Sequence, residues 1–141
     1  MLNKLQMDIL QDLQTLYSGA PNVIVGAGRL ALNRKIGDGD RNIYLDITPT
    51  SIAANIAGKQ AVEYTTTVDL RIAQRVANEA DINGIINFCD DLYTRLSKGW
   101  IADDYTLTGI EWQGVDRATT VSDVFVTYFN LTFSRTNYNR C

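Results

Sequence analysis

A chain of 141 residues with a net charge of −3, a sequence pI near 4.8 and no histidine loses several function classes at once. The acidic balance argues against a general nucleic-acid or anionic-membrane binder, which needs a basic field. The missing histidine removes Ser-His-Asp and Cys-His nucleophile systems, histidine-ligated metals and the commonest general base.

The length suits a single domain, residues 1–141, large enough to bury roughly two thirds of its unfolded surface without a staple. Cys89 and Cys141 are the only cysteines. They form no C-x-x-C pair, fit a reducing compartment and offer neither a disulfide framework nor a zinc site. The amino-terminal stretch is interrupted by Lys4 and Asp8, so it lacks the apolar block of a signal peptide, and no run reaches the roughly 18 to 20 apolar residues of a membrane span.

In chain order, Leu2, Leu5, Ile9, Leu13 and Leu16 recur at steps of three and four and predict an amphipathic helix, stopped by Ser18-Gly19-Ala20-Pro21. Asn22 to Gly26 reads as a short apolar strand and Asn42 to Thr48 as a second. The glycine turn Gly37 to Asp40 lies between them, a spacing that predicts a hairpin with a long charged loop. Pro49 to Gly58 has small, mildly apolar residues and reads as a loop or a short helical turn.

Gln60 to Gln74 is the most regular stretch. Val62, Tyr64, Thr66, Val68, Leu70 and Ile72 alternate with Glu63, Thr65, Thr67, Asp69 and Arg71, a strand with one apolar and one wet face. At about 3.3 Å per residue it spans roughly 50 Å, more than one small core covers, so part of it is expected to project. A second helix follows, with Asp81 as its expected N-cap, a stripe of Ile82, Ile85, Ile86, Cys89, Leu92, Tyr93 and Leu96, and a stop at Gly99.

Tyr105 to Val115 and Ser122 to Thr136 then predict an antiparallel pair, and the second of these is a partner for the long strand. Phe125, Phe129, Leu131 and Phe133 share one face of it, while Val124, Val126 and Tyr128 make the other face apolar as well, as in a strand that is sandwiched or touches another subunit. The element order α-β-β-β-α-β-β predicts an α+β, two-layer domain: a mainly antiparallel sheet with helices on one face.

This order, the strand V-E-Y-T-T-T-V-D-L-R-I and the closing Y-F-N-L-T-F-S-R resemble the tail terminator, or tail completion, proteins of long-tailed bacteriophages. The likeness covers nearly the whole chain and is one of layout, with no short motif. It implies a virion structural protein, assembled in the host cytoplasm, without catalytic residues, cofactor or membrane. Such proteins form a six-membered ring at the head-proximal end of the tail tube, end its growth and meet the head-completion or connector protein, with phage DNA only passing through the lumen. Other neck or tube ring adaptors share this layout.

For such a ring, Val124 and Val126 are candidate subunit contacts. The cations Arg29, Arg34, Lys35 and Arg41 are either an exposed loop of mixed charge or a contact for an acidic neighbour such as tail-tube protein or connector.

A rival of another class is a small dinucleotide-binding enzyme. Gly26, Gly28 and Ala31, in V-I-V-G-A-G-R-L-A, fit G-x-G-x-x-A after a strand, and Asp46 lies where a ribose-binding carboxylate belongs. Against it, Arg29 to Lys35 is too short for a crossover helix, and the later strands alternate in the antiparallel manner. Asp38-Gly39-Asp40 lacks the ligand spacing of a calcium loop and reads as a turn. Asp90-Asp91, neighbours on a helix, point about 100° apart and make no carboxylate dyad. Asp103-Asp104 read as the turn before Tyr105.

Overall fold

The computed structural model describes residues 2–27, 39–57, 61–117 and 124–138. In order they form α1 (Leu2–Leu16), β1 (Val23–Ala27), β2 (Ile43–Ala57), β3 (Ala61–Arg75), α2 (Glu79–Leu96), β4 (Ile101–Ala102), β5 (Tyr105–Arg117) and β6 (Val124–Tyr138). The strands make one sheet in the order β1-β2-β3-β6-β5-β4. All its pairs are antiparallel except β1·β2. The α+β class and the order of long elements are those the sequence predicts, with the two-residue β4 as an addition.

Two long antiparallel ladders dominate the sheet, the β2–β3 hairpin and the pairing of β3 with the distant β6. β2 and β3 pair from Tyr44↔Ala73 to Ala57↔Ala61. β3 and β6 pair without a break from Ala61↔Tyr138 to Arg75↔Val124. Their alternation sorts the side chains onto two faces. Ile43, Leu45 and Ile47 of β2 share one face with Val68, Leu70 and Ile72 of β3 and Phe129, Leu131 and Phe133 of β6, and all of these are buried.

Both helices cover that face. Leu5, Ile9 and Leu13 of α1 and Ile85, Cys89, Leu92 and Leu96 of α2 complete the core. At about 1.5–3 kcal/mol for each fully buried Leu or Ile side chain, the α1 stripe is what holds a helix that carries no acidic first turn or basic last turn. The Phe129 ring meets Trp112 and Tyr93 edge-on at centroid distances of 5.5 and 6.1 Å, a favoured aromatic geometry. Trp100 Nε1 donates to Asp12 Oδ2 at 2.8 Å, and Lys4 Nζ reaches Asp103 Oδ1 at 2.9 Å, so α1 is tied to both ends of β4.

Three expectations are corrected. β1 and β2 are parallel, with Val23 opposite Ile43 and Ala27 opposite Ile47. The long connection allows a crossover in place of the expected hairpin turn. Pro49 to Ala57 is neither loop nor helical turn but the outer half of β2, reached through a register shift between Pro49 and Ser51. The proline, which has no N–H to donate, sits at that irregularity, where strands tolerate it. Finally, α2 begins earlier than expected, and its N-cap is Asn78. The Asn78 side chain accepts from Asp81 N at 3.0 Å while Asp81 Oδ2 accepts from Ala77 N at 2.8 Å, a reciprocal arrangement that satisfies two free donors.

The glycine stop of α2 holds: Gly99 has φ +114°, which an L-residue rarely adopts. Asp103 and Asp104, at φ +47° and +61°, make the tight turn between β4 and β5, the left-handed pair that two-residue hairpins require.

Candidate assembly surface

The helices stop short of one end of the sheet. On β3 the inward residues are fully buried from Thr66 to Ile72, whereas Val62 and Tyr64 before them are half-buried and Thr50 to Ile56 of β2 are exposed. The outer half of the β2–β3 hairpin therefore projects past its cover, and Ile52 and Ile56 stand 40% and 73% exposed there. Beside it lies a cleft of about 610 Å³ lined by Glu63, Asp104, Thr106, Thr108, Ser134, Arg135 and Thr136. The Arg135 guanidinium stacks at 4.8 Å from the Tyr105 ring centroid and 5.6 Å from that of Tyr64. Two acids and one arginine give the cleft mixed charge and no acid–base pair.

The sheet face turned away from the helices is polar over most of its area. Cross-strand registers lay out two rows: Thr48, Asp69, Asn130 and Glu111, then Ser51, Thr67, Thr132 and Gly109. Asn130 Nδ2 donates to Asp69 Oδ1 at 3.0 Å, which fixes both side chains on this face. The residues of both rows are half-buried or exposed, and neither helix reaches them. This is a broad hydroxyl and carboxylate surface, continuous by register with Glu63, Thr106, Ser134 and Thr136 of the cleft.

Towards the β1 end the same face closes over. Tyr44, Ala73, Val124 and Val126 form a second buried cluster, with Ile24 and Tyr128 against it. The Tyr44 hydroxyl donates to Asp40 Oδ2, and Asp40 Oδ1 accepts from Asn42 N at 3.0 Å. Asp46 is fully buried next to this cluster, opposite Arg71 of β3. Its Oδ2 accepts a long bond from Thr48 Oγ1 at 3.4 Å, while Oδ1 has no partner, and neither do Nε and Nη1 of Arg71. Burial raises the Asp46 carboxyl to about 6, despite the opposing pull of the Thr48 hydroxyl and of Arg71.

Of the predicted contact residues, Arg29, Arg34 and Lys35 lie outside the described residues. Arg41 is exposed, and its carbonyl accepts from Gln74 Nε2 at 3.0 Å. Val124 and Val126 are 9% and 5% exposed, packed inside the chain against Tyr44 and Ala73. Among the described residues the large apolar side chains left exposed are Met7, Ile52, Ile56, Ile86 and Ile101, and of these Ile52 and Ile56 share one strand, on a segment whose alternation the alanines blur. Cys89 is a buried core thiol pushed up to about 12 by desolvation.

The dinucleotide reading fares differently at its two ends. The parallel β1·β2 pair answers the objection that a crossover is missing, and it sets Gly26 opposite Asp46. Gly28 and Ala31 are outside the described residues. Asp46, however, is 0% exposed and is the fourth residue of β2, which runs on to Ala57. Nucleotide sites lie beyond the carboxyl ends of parallel strands, whereas this carboxylate is buried within its strand.

Compared with protein-family models and with curated proteins, the chain matches none.

Proposed function

We propose that the chain is a non-enzymatic ring subunit of a virion tail, of the tail terminator kind, which ends the growth of the tail tube and joins it to the head. The observation that carries this reading is the division of the sheet into two faces: one sealed by α1 and α2, the other an uncovered polar wall of Thr48, Thr67, Asp69, Glu111, Asn130 and Thr132. Copies arranged around an axis with that wall inward enclose a hydroxyl-rich and acidic lumen. Carboxylates there repel the phosphate backbone, so DNA passes without being held. The projecting hairpin and the exposed cation Arg41 lie at the ends of the subunit, where neighbouring copies, tube protein or connector would be met.

The test is negative-stain imaging with light scattering of the purified chain, alone and mixed with assembled tail tubes. Rings, or tubes capped at one end, are the expected result. A chain that stays monomeric at high concentration and leaves tubes uncapped overturns the reading. A ring that ignores tubes but binds connector moves the subunit to the neck, within the same class.

A further inference from the structure

An open sheet has two edges, and among the described residues both are left partly free in places that complement each other. β1 covers β2 only from Ile43 to Ile47. Beyond it, from Thr48 to Ala57, no described strand lies on the outer side. The segment I-T-P-T-S-I-A-A-N-I-A carries no charge, and Thr50 to Ile56 are exposed. Natural edges are shielded by charge, bulges or a covering element, and among the described residues Pro49 and the irregularity beside it are all that shields this one. At the far edge, β4 pairs with Tyr105 and Thr106 of β5 and the Trp100 carbonyl accepts from Leu107 N, and from there to Arg117 no described strand lies on the outer side.

We propose that the free edge of β2 takes the free edge of β5 from a second copy of the chain, so that each copy adds four strands to one continuous sheet. The proposal rests on the ring reading and names its subunit contact. β2 and β5 already run in opposite directions, through β3 and β6. A neighbour rotated about an axis along the strands therefore presents β5 antiparallel to β2, with its helices on the same side.

The side chains select the register. Ile52, Ala54 and Ile56 lie on the helix side of β2, as Ile110 and Trp112 do on β5. Setting Ile56 opposite Ile110 of the next copy puts Ala54 opposite Trp112, a small residue facing a large one, and Asn55 opposite Glu111 on the polar side. The regular stretch of β5 between its two register shifts, Gly109 to Gln113, then pairs with Ala53 to Ala57. In this position β5 ends short of β1, and β4 falls beyond Ala57. A slide of two residues towards β1 brings the end of β5 up against β1 and drops Ile56 onto the irregularity between Leu107 and Gly109.

The same register has the stagger a closed sheet needs. Ala54 is level with Tyr64 and Arg135, and Trp112 is level with Phe129. The two differ by about six residues along β6, or ~20 Å, across four strands that are ~19 Å wide. Strands so offset tilt by about 45° to the ring axis, at the upper end of the 35–45° typical of closed barrels.

The experiment uses the full chain with Cys141→Ser, leaving only the buried Cys89. Asn55→Cys with Glu111→Cys places two exposed positions opposite each other across the contact. Oxidation by dioxygen is expected to give a ladder on a non-reducing gel that ends at the ring number. Asn55→Cys with Thr106→Cys, on the same face but out of register, is expected to stay monomeric on the gel. Ile56→Lys, at a 73% exposed position, should melt like wild type and form no rings. Rings that persist in Ile56→Lys, together with no ladder from the in-register pair, overturn the edge contact and leave the ring reading standing. No oligomer of the unsubstituted chain, alone or on tubes, brings down both.

Discussion

Replacing Asp46 by Asn removes a charge that the fold holds away from water without a full set of partners. The carboxyl is fully buried, its Oδ1 has no hydrogen bond, and its pKa rises from an ordinary 3.8 to about 6, chiefly through desolvation. A raised carboxyl means that the folded state prefers the protonated form. Stability from this group is thus complete below pH 3.8 and is lost as pH rises through about 6. A shift of roughly two units corresponds to about 3 kcal/mol at ~1.4 kcal/mol per unit.

Asparagine copies the neutral acid, except that its amide NH₂ then occupies the orphan Oδ1 position, and an unpaired donor there costs about 1 kcal/mol or more. The net expectation at pH 8 is a gain of about 1–2 kcal/mol over wild type. At pH 4 the gain should vanish or reverse. Urea unfolding of both proteins from pH 4 to pH 8, compared at matched m-values, measures this directly. A variant less stable than wild type by the same amount at every pH refutes the reasoning. It would mean that Asp46 is ionised throughout and held by Arg71 across the strand pair.

Other outcomes follow from single contacts. Asn78→Ala removes the α2 cap and should cost about 1 kcal/mol in the same unfolding assay, with Asn78→Ser recovering most of it. Asp104→Gly relieves a left-handed residue at φ +61°, and should raise stability by about 0.5–1 kcal/mol. Cys89, fully buried with its thiol raised to about 12, should react with a maleimide in the Cys141→Ser chain only at the rate of unfolding, so prompt labelling of that chain under native conditions would contradict the core packing.

The parts of the fold legible in the sequence are those governed by local periodicity. The stripe from Leu5 to Leu13, the stripe from Ile85 to Leu96, and the alternation from Val62 to Ile72 each carry enough apolar positions to declare both an element and its buried face. Gly99 and the Asp103-Asp104 turn were readable because their backbone conformations suit few residue types. Asn78 was passed over for Asp81 because both residues take part in one reciprocal cap, and composition does not say which is outside the helix.

What the tertiary structure alone decides is direction, neighbours and surface. A period of two is the same whether a strand runs up or down, so Val23 to Ala27 carries no sign of its parallel pairing with Ile43 to Ile47. Serine and alanine blur the alternation from Ser51 to Ala57, and only the partner strand β3 makes that segment a strand. The doubly apolar strand around Val124 and Val126 reads either as sandwiched or as touching another subunit, and within the chain Tyr44 and Ala73 bury both valines. Burial depends on what the rest of the chain brings across the sheet, and residues far apart in sequence supply it, which is also why the open edge at Ile56 became visible only once every other strand had found its place.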